Sequence, residues 1–120
     1  MTVWKGGEHT FKLRIGEFRA LQSATNVGPL FLLGRIAGSQ WFVDDIIETI
    51  RLGLIGGGVG EVAAKKLVDD VLVDNPTEIF KHAPLALFII KTSLMGDDND
   101  PVGEDDSGEL NAGSATNSDA

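Results

Sequence analysis

The sequence predicts a mainly α-helical fold of the α+β class, with an N-terminal β-hairpin, five to six short helices and a disordered acidic C-terminal tail. Three patterns carry this prediction. Apolar residues recur at helical spacing between residues 43 and 72, they alternate strictly between residues 10 and 15, and all excess negative charge follows residue 95. We therefore expect a single globular domain over residues 1–95 and the tail over residues 96–120.

The β-hairpin is predicted by alternation next to a glycine pair. Phe11, Leu13 and Ile15 fall on one face of an extended segment, which is the pattern of a half-buried strand. Val3-Trp4-Lys5 precedes that segment across Gly6-Gly7, a pair suited to a tight turn. We expect the two segments to pair as the strands of the hairpin.

Helix three is the element whose beginning and end the sequence specifies best. Asp44 lies in the first turn, where its carboxylate can accept hydrogen bonds from free backbone N–H groups. Gly56, Gly57 and Gly58 follow the last turn, and glycine ends helices because it adopts left-handed backbone angles without strain. We expect these glycines to form a helix stop and a hinge. The apolar face consists of Ile46, Ile47, Ile50 and Leu54.

The other helices are placed by similar signals. Phe18 and Leu21 are expected to point inward from the first helix, and Pro29 suits the first turn of the second. Asn75-Pro76-Thr77-Glu78 combines a cap, a proline at the first position and a glutamate at N3. Because proline removes a helical hydrogen bond, Pro84 is expected to be a hinge that kinks or breaks the chain. The predicted helices cover about residues 17–25, 30–37, 43–55, 59–72, 76–83 and 84–94.

The last predicted helix, from Pro84 to Leu94, is apolar almost all round. Such a helix is either buried at the centre of the core, which we favour, or partly exposed as a surface for a partner. In the second case the residues expected to contact the partner are Leu85, Leu87, Phe88, Ile90 and Leu94, together with Trp41.

Charge divides the chain into a neutral body and an acidic tail. Residues 1–95 contain all 10 Lys and Arg residues and an equal number of acidic ones, so the net charge of −8 lies in the tail. A neutral body argues against nucleic-acid binding, which needs a basic surface. The chain has no cysteine, and no apolar run approaches the ~20 residues of a membrane span. We expect a soluble cytoplasmic protein with no nucleic-acid or membrane partner.

The tail is expected to be disordered because its only large apolar residues are Val102 and Leu110. It cannot bury enough surface to offset an ordering cost of about 1–2 kcal/mol per residue. Its acidic residues do not form an EF-hand, since no helix follows them. We favour a tail that adds solubility over one that shields a partner surface until assembly.

No arrangement of residues indicates an active site. The glycines at 56–60 follow a helix and lack the Gly-Lys-Ser/Thr ending of a phosphate-binding loop. His9 and His82 each stand without a second metal ligand at suitable spacing, and Ser39 lies outside a Gly-x-Ser-x-Gly motif. The sequence therefore predicts a protein that is not an enzyme and that holds no cofactor and no metal.

Four segments of the body resemble the gene-transfer-agent family of small phage tail proteins, described as tail tube or tail assembly chaperone proteins. The resemblance covers about residues 8–95 and leaves out most of the tail. It rests on residues 11–22, Gly28-Pro29, Trp41 to Asp45 and residues 48–58, of which the last segment is the most specific.

The resemblance implies a non-enzymatic role in tail morphogenesis. We favour a tail assembly chaperone that binds the tape measure protein and keeps it soluble until tube subunits polymerise around it. The alternatives are a structural tail tube component and, less favoured, a regulatory module acting through the acidic tail. The implied partners are the tape measure protein and/or the tail tube protein, with homo-oligomerisation as a further option. The implied location is the cytoplasm of the bacterial host during assembly, or alternatively the virion tail.

Overall fold

A computed structural model describes residues 2–5 and 7–96 of the chain. Within these residues the protein forms a small antiparallel sheet followed by five helices, which confirms the predicted mainly α-helical class with an N-terminal hairpin. No helix in this part of the chain is long and apolar enough to cross a membrane. Apart from Gly96, the predicted acidic tail lies outside the described residues. The elements are β1 (Thr2–Trp4), β2 (Gly7–His9), α1 (Ile15–Thr25), α2 (Pro29–Ala37), α3 (Val43–Gly56), α4 (Glu61–Val71) and α5 (Pro76–Met95).

The hairpin is present, but its second strand is Gly7–His9, which lies before the predicted strand of residues 10–15, so the predicted strand pairing is wrong. Thr2 pairs with His9 and Trp4 with Gly7, and Gly7 adopts a φ of 122° that favours glycine. The alternating segment after it is not a strand. Leu13 is buried there as expected, but Ile15 is exposed and begins α1, so its predicted inward position is wrong.

Helices α1 and α2 begin and end at the residues that favour these positions. The Arg14 backbone N–H donates to Glu17 Oε1 at 3.0 Å, which satisfies a group that the first turn of α1 leaves free. Asn26 ends α1 with a left-handed φ of 63°, and Pro29 opens α2. Phe18 and Leu21 are buried, as the sequence predicted.

Helix α3 occupies the centre of the fold, with α1, α4 and α5 packed against it. Its residues Ile46, Ile50 and Leu54 are completely buried. The sequence favoured the last helix for this central position, and that prediction is wrong. Leu52 of α3 is also buried, and the core that surrounds this helix consists of Leu13, Phe18, Leu21, Leu32, Ile36, Ala64, Val68, Leu72, Ile79, Ala86, Ile89 and Ile90.

Two glycines at the end of α3 allow another backbone segment to approach closely. The Lys12 backbone N–H donates to the Gly53 carbonyl at 3.0 Å, which lays residues 10–12 along this end of the helix. A Cβ on Gly56 would overlap the Lys12 carbonyl, and one on Gly57 would overlap the Thr10 carbonyl. These glycines therefore form a close backbone contact, which sequence reasoning had interpreted only as a helix stop and hinge.

Helix α5 is longer than predicted, because it continues through Pro84 without a break. The predicted division into two helices is wrong. Pro84 is exposed. Surrounding turns that keep their hydrogen bonds can hold a helix together across one missing N–H, and α5 is further supported by packing against α2 and α3.

Candidate functional site

An apolar groove lies where the end of α2 meets the middle of α5. Its volume is about 360 Å³. Trp41 and Leu87, two residues predicted to contact a partner, both line it although they are far apart in sequence. The predicted hinge residue Pro84 also lines it. The remaining lining residues are Ile36, Ala37, Ser39, Phe80, Lys81 and Ala83.

A second groove continues from the first on the other side of Trp41. It has a volume of about 390 Å³ and lies between the start of α3 and the start of α5. Trp41 lines both grooves, so the two form one surface, which we call the Trp41 surface. The second groove is lined by Trp41, Val43, Asp74, Asn75, Pro76 and Ile79.

An exposed apolar stripe runs along α5 and includes residues of the Trp41 surface. Phe80, Pro84 and Phe88 follow one another at intervals of four residues, and Phe80 is 72% exposed. Met95 and Leu94 extend the exposed residues to the end of the helix. Large aromatic side chains in water favour association with another apolar surface.

The predicted partner-binding residues of α5 divide between its two sides. Phe88 and Leu94 are exposed, and Leu85 and Leu87 are half-buried. Ile90 is 0% exposed. Its assignment to a partner surface is wrong for this structure, because it lies on the side of α5 that packs into the core.

A buried ion pair holds the loop that carries Trp41. Arg35 near the end of α2 donates from Nε to Asp45 Oδ2 at 2.9 Å and from Nη2 to Asp45 Oδ1 at 2.8 Å. Asp45 Oδ2 also accepts the Phe42 backbone N–H at 2.8 Å. These bonds join α2 to the first turn of α3 across the loop. A bidentate pair of this kind fixes geometry as well as contributing energy.

Asp45, rather than Asp44, is the residue that satisfies the start of α3. The sequence favoured Asp44 as the cap, but Asp44 is exposed, whereas Asp45 is 1% exposed and accepts the backbone bond. Asp45 takes this role because it is at position N3 of α3, from which a carboxylate can reach back to the backbone N–H of the N-cap residue, Phe42. The assignment of the cap to Asp44 is therefore corrected to Asp45.

Arg35 also lies against two exposed aromatic rings that sequence reasoning missed. Its guanidinium carbon is 4.7 Å from the centre of the Phe42 ring and 5.8 Å from that of Phe31. Both distances are within the range of a cation–π contact. The signal that could have found these residues is weak: Phe42 follows Trp41 directly, and Phe31 lies in the apolar run of α2.

A third groove, of about 440 Å³, is more polar and lies between α1, α3 and α4. Its Arg51 pairs with Glu48 at 2.6 Å, and that hydrogen bond raises the pKa of Arg51. Burial opposes ionisation of Glu17, but hydrogen bonds from the Arg14 backbone and guanidinium outweigh it and lower the pKa of the Glu17 carboxyl. Groups held ionised in this way are suited to stabilising the fold rather than to transferring protons.

Metal-binding chemistry has no support from the described part of the chain, in which no group of three or more His, Cys, Asp or Glu residues could hold an ion. His9 and His82 both lie near Trp4, with ring centres 6.1 Å and 5.9 Å from that of the indole. Both ring nitrogens of His82 and Nε2 of His9 are engaged in hydrogen bonds to the protein. The two histidines are therefore part of an aromatic cluster.

No curated protein and no solved structure matches the chain. A family model described as "Phage tail tube protein, GTA-gp10" matches residues 1–96, which include every described helix and strand and both grooves of the Trp41 surface. The chain therefore belongs to the GTA-gp10 family of phage tail tube proteins, a family of phage tail morphogenesis and structure.

Proposed function

We propose that this protein is a structural component of the tail tube of a phage or gene transfer agent, acting without enzymatic activity. The single observation that carries the proposal is the family match over residues 1–96. The location that follows is the virion tail, and the partners that follow are other tail proteins or further copies of this chain. The Trp41 surface is the contact we assign to them, because it is apolar and open to solvent.

A second candidate function is a tail assembly chaperone in the host cytoplasm that binds the tape measure protein. One observation favours it. The described residues contain two strands of 3 residues each, and such strands are too short to build an extended β-sheet through a tube wall. The groove beside α5 would instead suit an amphipathic helix of a partner.

The two functions are separated by one experiment. The protein is produced alone and together with the tape measure protein of the same gene cluster, and both samples are analysed by size-exclusion chromatography with light scattering and by electron microscopy. Tubes or rings formed by the protein alone support the tube component. A soluble complex with a tape measure protein that is otherwise insoluble supports the chaperone. If the protein forms no assembly alone and no complex with the tape measure protein, both functions are contradicted.

The role of the Trp41 surface is tested with matched substitutions. Phe80→Asp places a charge on this surface, and Val62→Asp places the same charge on α4, where Val62 is 85% exposed and outside both grooves. Both variants should keep the helical circular dichroism signal because neither side chain is buried. We expect only Phe80→Asp to weaken assembly or partner binding, by about tenfold or more for an aromatic anchor. Equal binding by the two variants would contradict the assignment.

We further propose that residues 1–96 suffice for this function and that the acidic tail adds solubility. The tail supplies the whole net charge of −8, and like charges keep copies of a protein apart. Deletion of residues 97–120 should lower solubility at low ionic strength and leave partner affinity unchanged. Tighter partner binding after deletion would instead support a tail that shields the surface.

A further inference from the structure

The N-terminal hairpin is joined to α5 through a bond that depends on the protonation of one histidine. The Trp4 indole Nε1–H donates to His82 Nε2 at 2.8 Å. Among the described residues it is the one side-chain hydrogen bond that links the hairpin to a helix. An indole nitrogen can only donate, so His82 Nε2 must carry a lone pair.

The other nitrogen of His82 fixes the tautomer. Nδ1 lies 2.6 Å from the Glu78 carbonyl oxygen, one turn earlier in α5. A carbonyl can only accept, so Nδ1 carries the proton and Nε2 is free to accept from Trp4. Both hydrogen bonds are satisfied only by the neutral ring in this tautomer.

His9, the second histidine of the cluster, is bonded in the opposite way. Its Nε2 lies 2.7 Å from the Lys5 carbonyl oxygen within the hairpin, so this nitrogen is the donor. Protonation of His9 adds a proton at Nδ1 and leaves that bond in place. Of the two histidines, His82 is therefore the one whose protonation removes a hydrogen bond recorded in the structure.

We propose that the Trp4–His82 bond is a pH-sensitive latch that releases the N-terminal hairpin from α5 when His82 is protonated. The added proton at Nε2 would face the indole N–H, so that two donors oppose each other without an acceptor. Histidine is the side chain that ordinarily changes its charge between about pH 5 and 8, and the latch is to be tested over that interval.

Two charged side chains of α5, Glu78 and Lys81, lie near His82. Glu78 Oε1 lies 3.9 Å from His82 Nδ1. Lys81 Nζ lies 3.5 Å from Glu78 Oε2, so its positive charge partly offsets the negative charge of Glu78. On the hairpin, the titratable group of this cluster is His9, whose ring contacts Trp4 rather than His82. The segment after the hairpin adds only the uncharged Phe11, whose ring centre is 5.8 Å from that of Trp4.

Release would uncover a defined set of side chains. Trp4 packs edge-on against Phe11 and His82, with interplanar angles of 77° and 78°. Detachment of the hairpin would expose the indole and the side of α5 around His82. It would also separate β1 and β2 from the helical body, while residues 10–12 stay bonded to the end of α3 through Lys12 and Gly53.

The proposal is tested on the full chain carrying Trp41→Phe, so that Trp4 is the sole tryptophan. We expect its fluorescence emission to shift to longer wavelength between about pH 8 and pH 5, while the helical circular dichroism signal stays constant. His82→Phe keeps an aromatic ring but cannot be protonated, and should abolish the shift. The matched variant His9→Phe should keep it. No shift, an equal shift in His82→Phe, or a parallel loss of helix would overturn the proposal.

A second measurement needs no substitution and covers the case in which a variant fails to fold. Nitrogen-15 NMR of the histidine rings near pH 8 reports which nitrogen carries the proton. We expect His82 to be protonated at Nδ1 and His9 at Nε2. Protonation of His82 at Nε2 would overturn the proposal, since Trp4 would then have no acceptor there.

Discussion

Ile79 and Phe80 are neighbours in α5, yet Ile79 is buried in the core and Phe80 extends into solvent. The same contrast recurs two to three turns later. Ala86, Ile89 and Ile90 belong to the inner side of the helix, whereas Phe88 belongs to the outer side. Hydrophobicity is therefore similar on the two sides, and only packing against α2 and α3 distinguishes them. An apolar residue on the inner side of this helix contributes to stability, whereas one on the outer side is available for association with a partner.

The largest effect is expected from a charge placed on the inner side. Ile90→Asp buries a carboxylate without a partner and should destabilise the protein by about 4 kcal/mol or more. Phe88→Asp, its match on the outer side, should change the free energy of unfolding by no more than about 0.5 kcal/mol. Urea unfolding followed by circular dichroism measures both. A similar loss in the two variants would show that the two sides do not differ as described.

The next effect is expected at the ion pair that holds the Trp41 loop. Asp45→Ala leaves the Arg35 guanidinium without its carboxylate and should cost about 3 kcal/mol, the scale for breaking a buried pair. Asp44→Ala removes an exposed carboxylate next to it and should cost about 0.5 kcal/mol or less. Thermal unfolding of the two variants compares them. Equal melting temperatures would contradict the distinct roles of these aspartates.

A smaller effect is expected where backbone packs on backbone. Gly57→Ala would force its new methyl group against the Thr10 carbonyl and should destabilise the protein by about 2 kcal/mol. Gly34→Ala lies in α2 with no atom near the added methyl group, and should stabilise the protein by about 0.5–1 kcal/mol through helix propensity. Chemical denaturation should therefore give shifts of opposite sign. A stabilising Gly57→Ala would exclude the close contact.

The smallest effect concerns a polar atom inside the core. Thr49 on α3 is completely buried, and its hydroxyl oxygen has no hydrogen-bond partner. Thr49→Val replaces the hydroxyl by a methyl group of similar size and should stabilise the protein by about 1 kcal/mol. The midpoint of urea unfolding measures this change. A loss of stability would indicate that the hydroxyl is satisfied in solution.

Helix positions were largely predictable because their signals are local. Pro29 opens α2 and Pro76 opens α5, as predicted, and the inward positions of Phe18 and Leu21 in α1 follow from spacing alone. The break at Pro84 was predicted wrongly, because the local penalty of proline was weighed without the packing that supports the helix on both sides. Local rules therefore predicted where helices occur better than they predicted where one helix ends and the next begins.

The candidate site was only partly predictable. Trp41 and Leu87 were selected from the sequence and line one groove. Ile90 was selected with them for the same hydrophobic reason and lies in the core. Arg35 was not selected, since nothing in its local sequence indicates that it will meet Asp45 on the following helix. Side-chain type indicated which residues could associate, but not on which side they would lie.

By itself, the sequence determined the helical class, the starts of α2 and α5, and the separation of a neutral body from an acidic tail, because propensity, capping and charge act within a few residues. Only the tertiary structure decided that α3 is central and that Trp4 meets His82 across 78 positions of chain. It also decided which apolar face of α5 remains open. Those outcomes depend on contacts between distant segments, where burial in a shared core outweighs local preference.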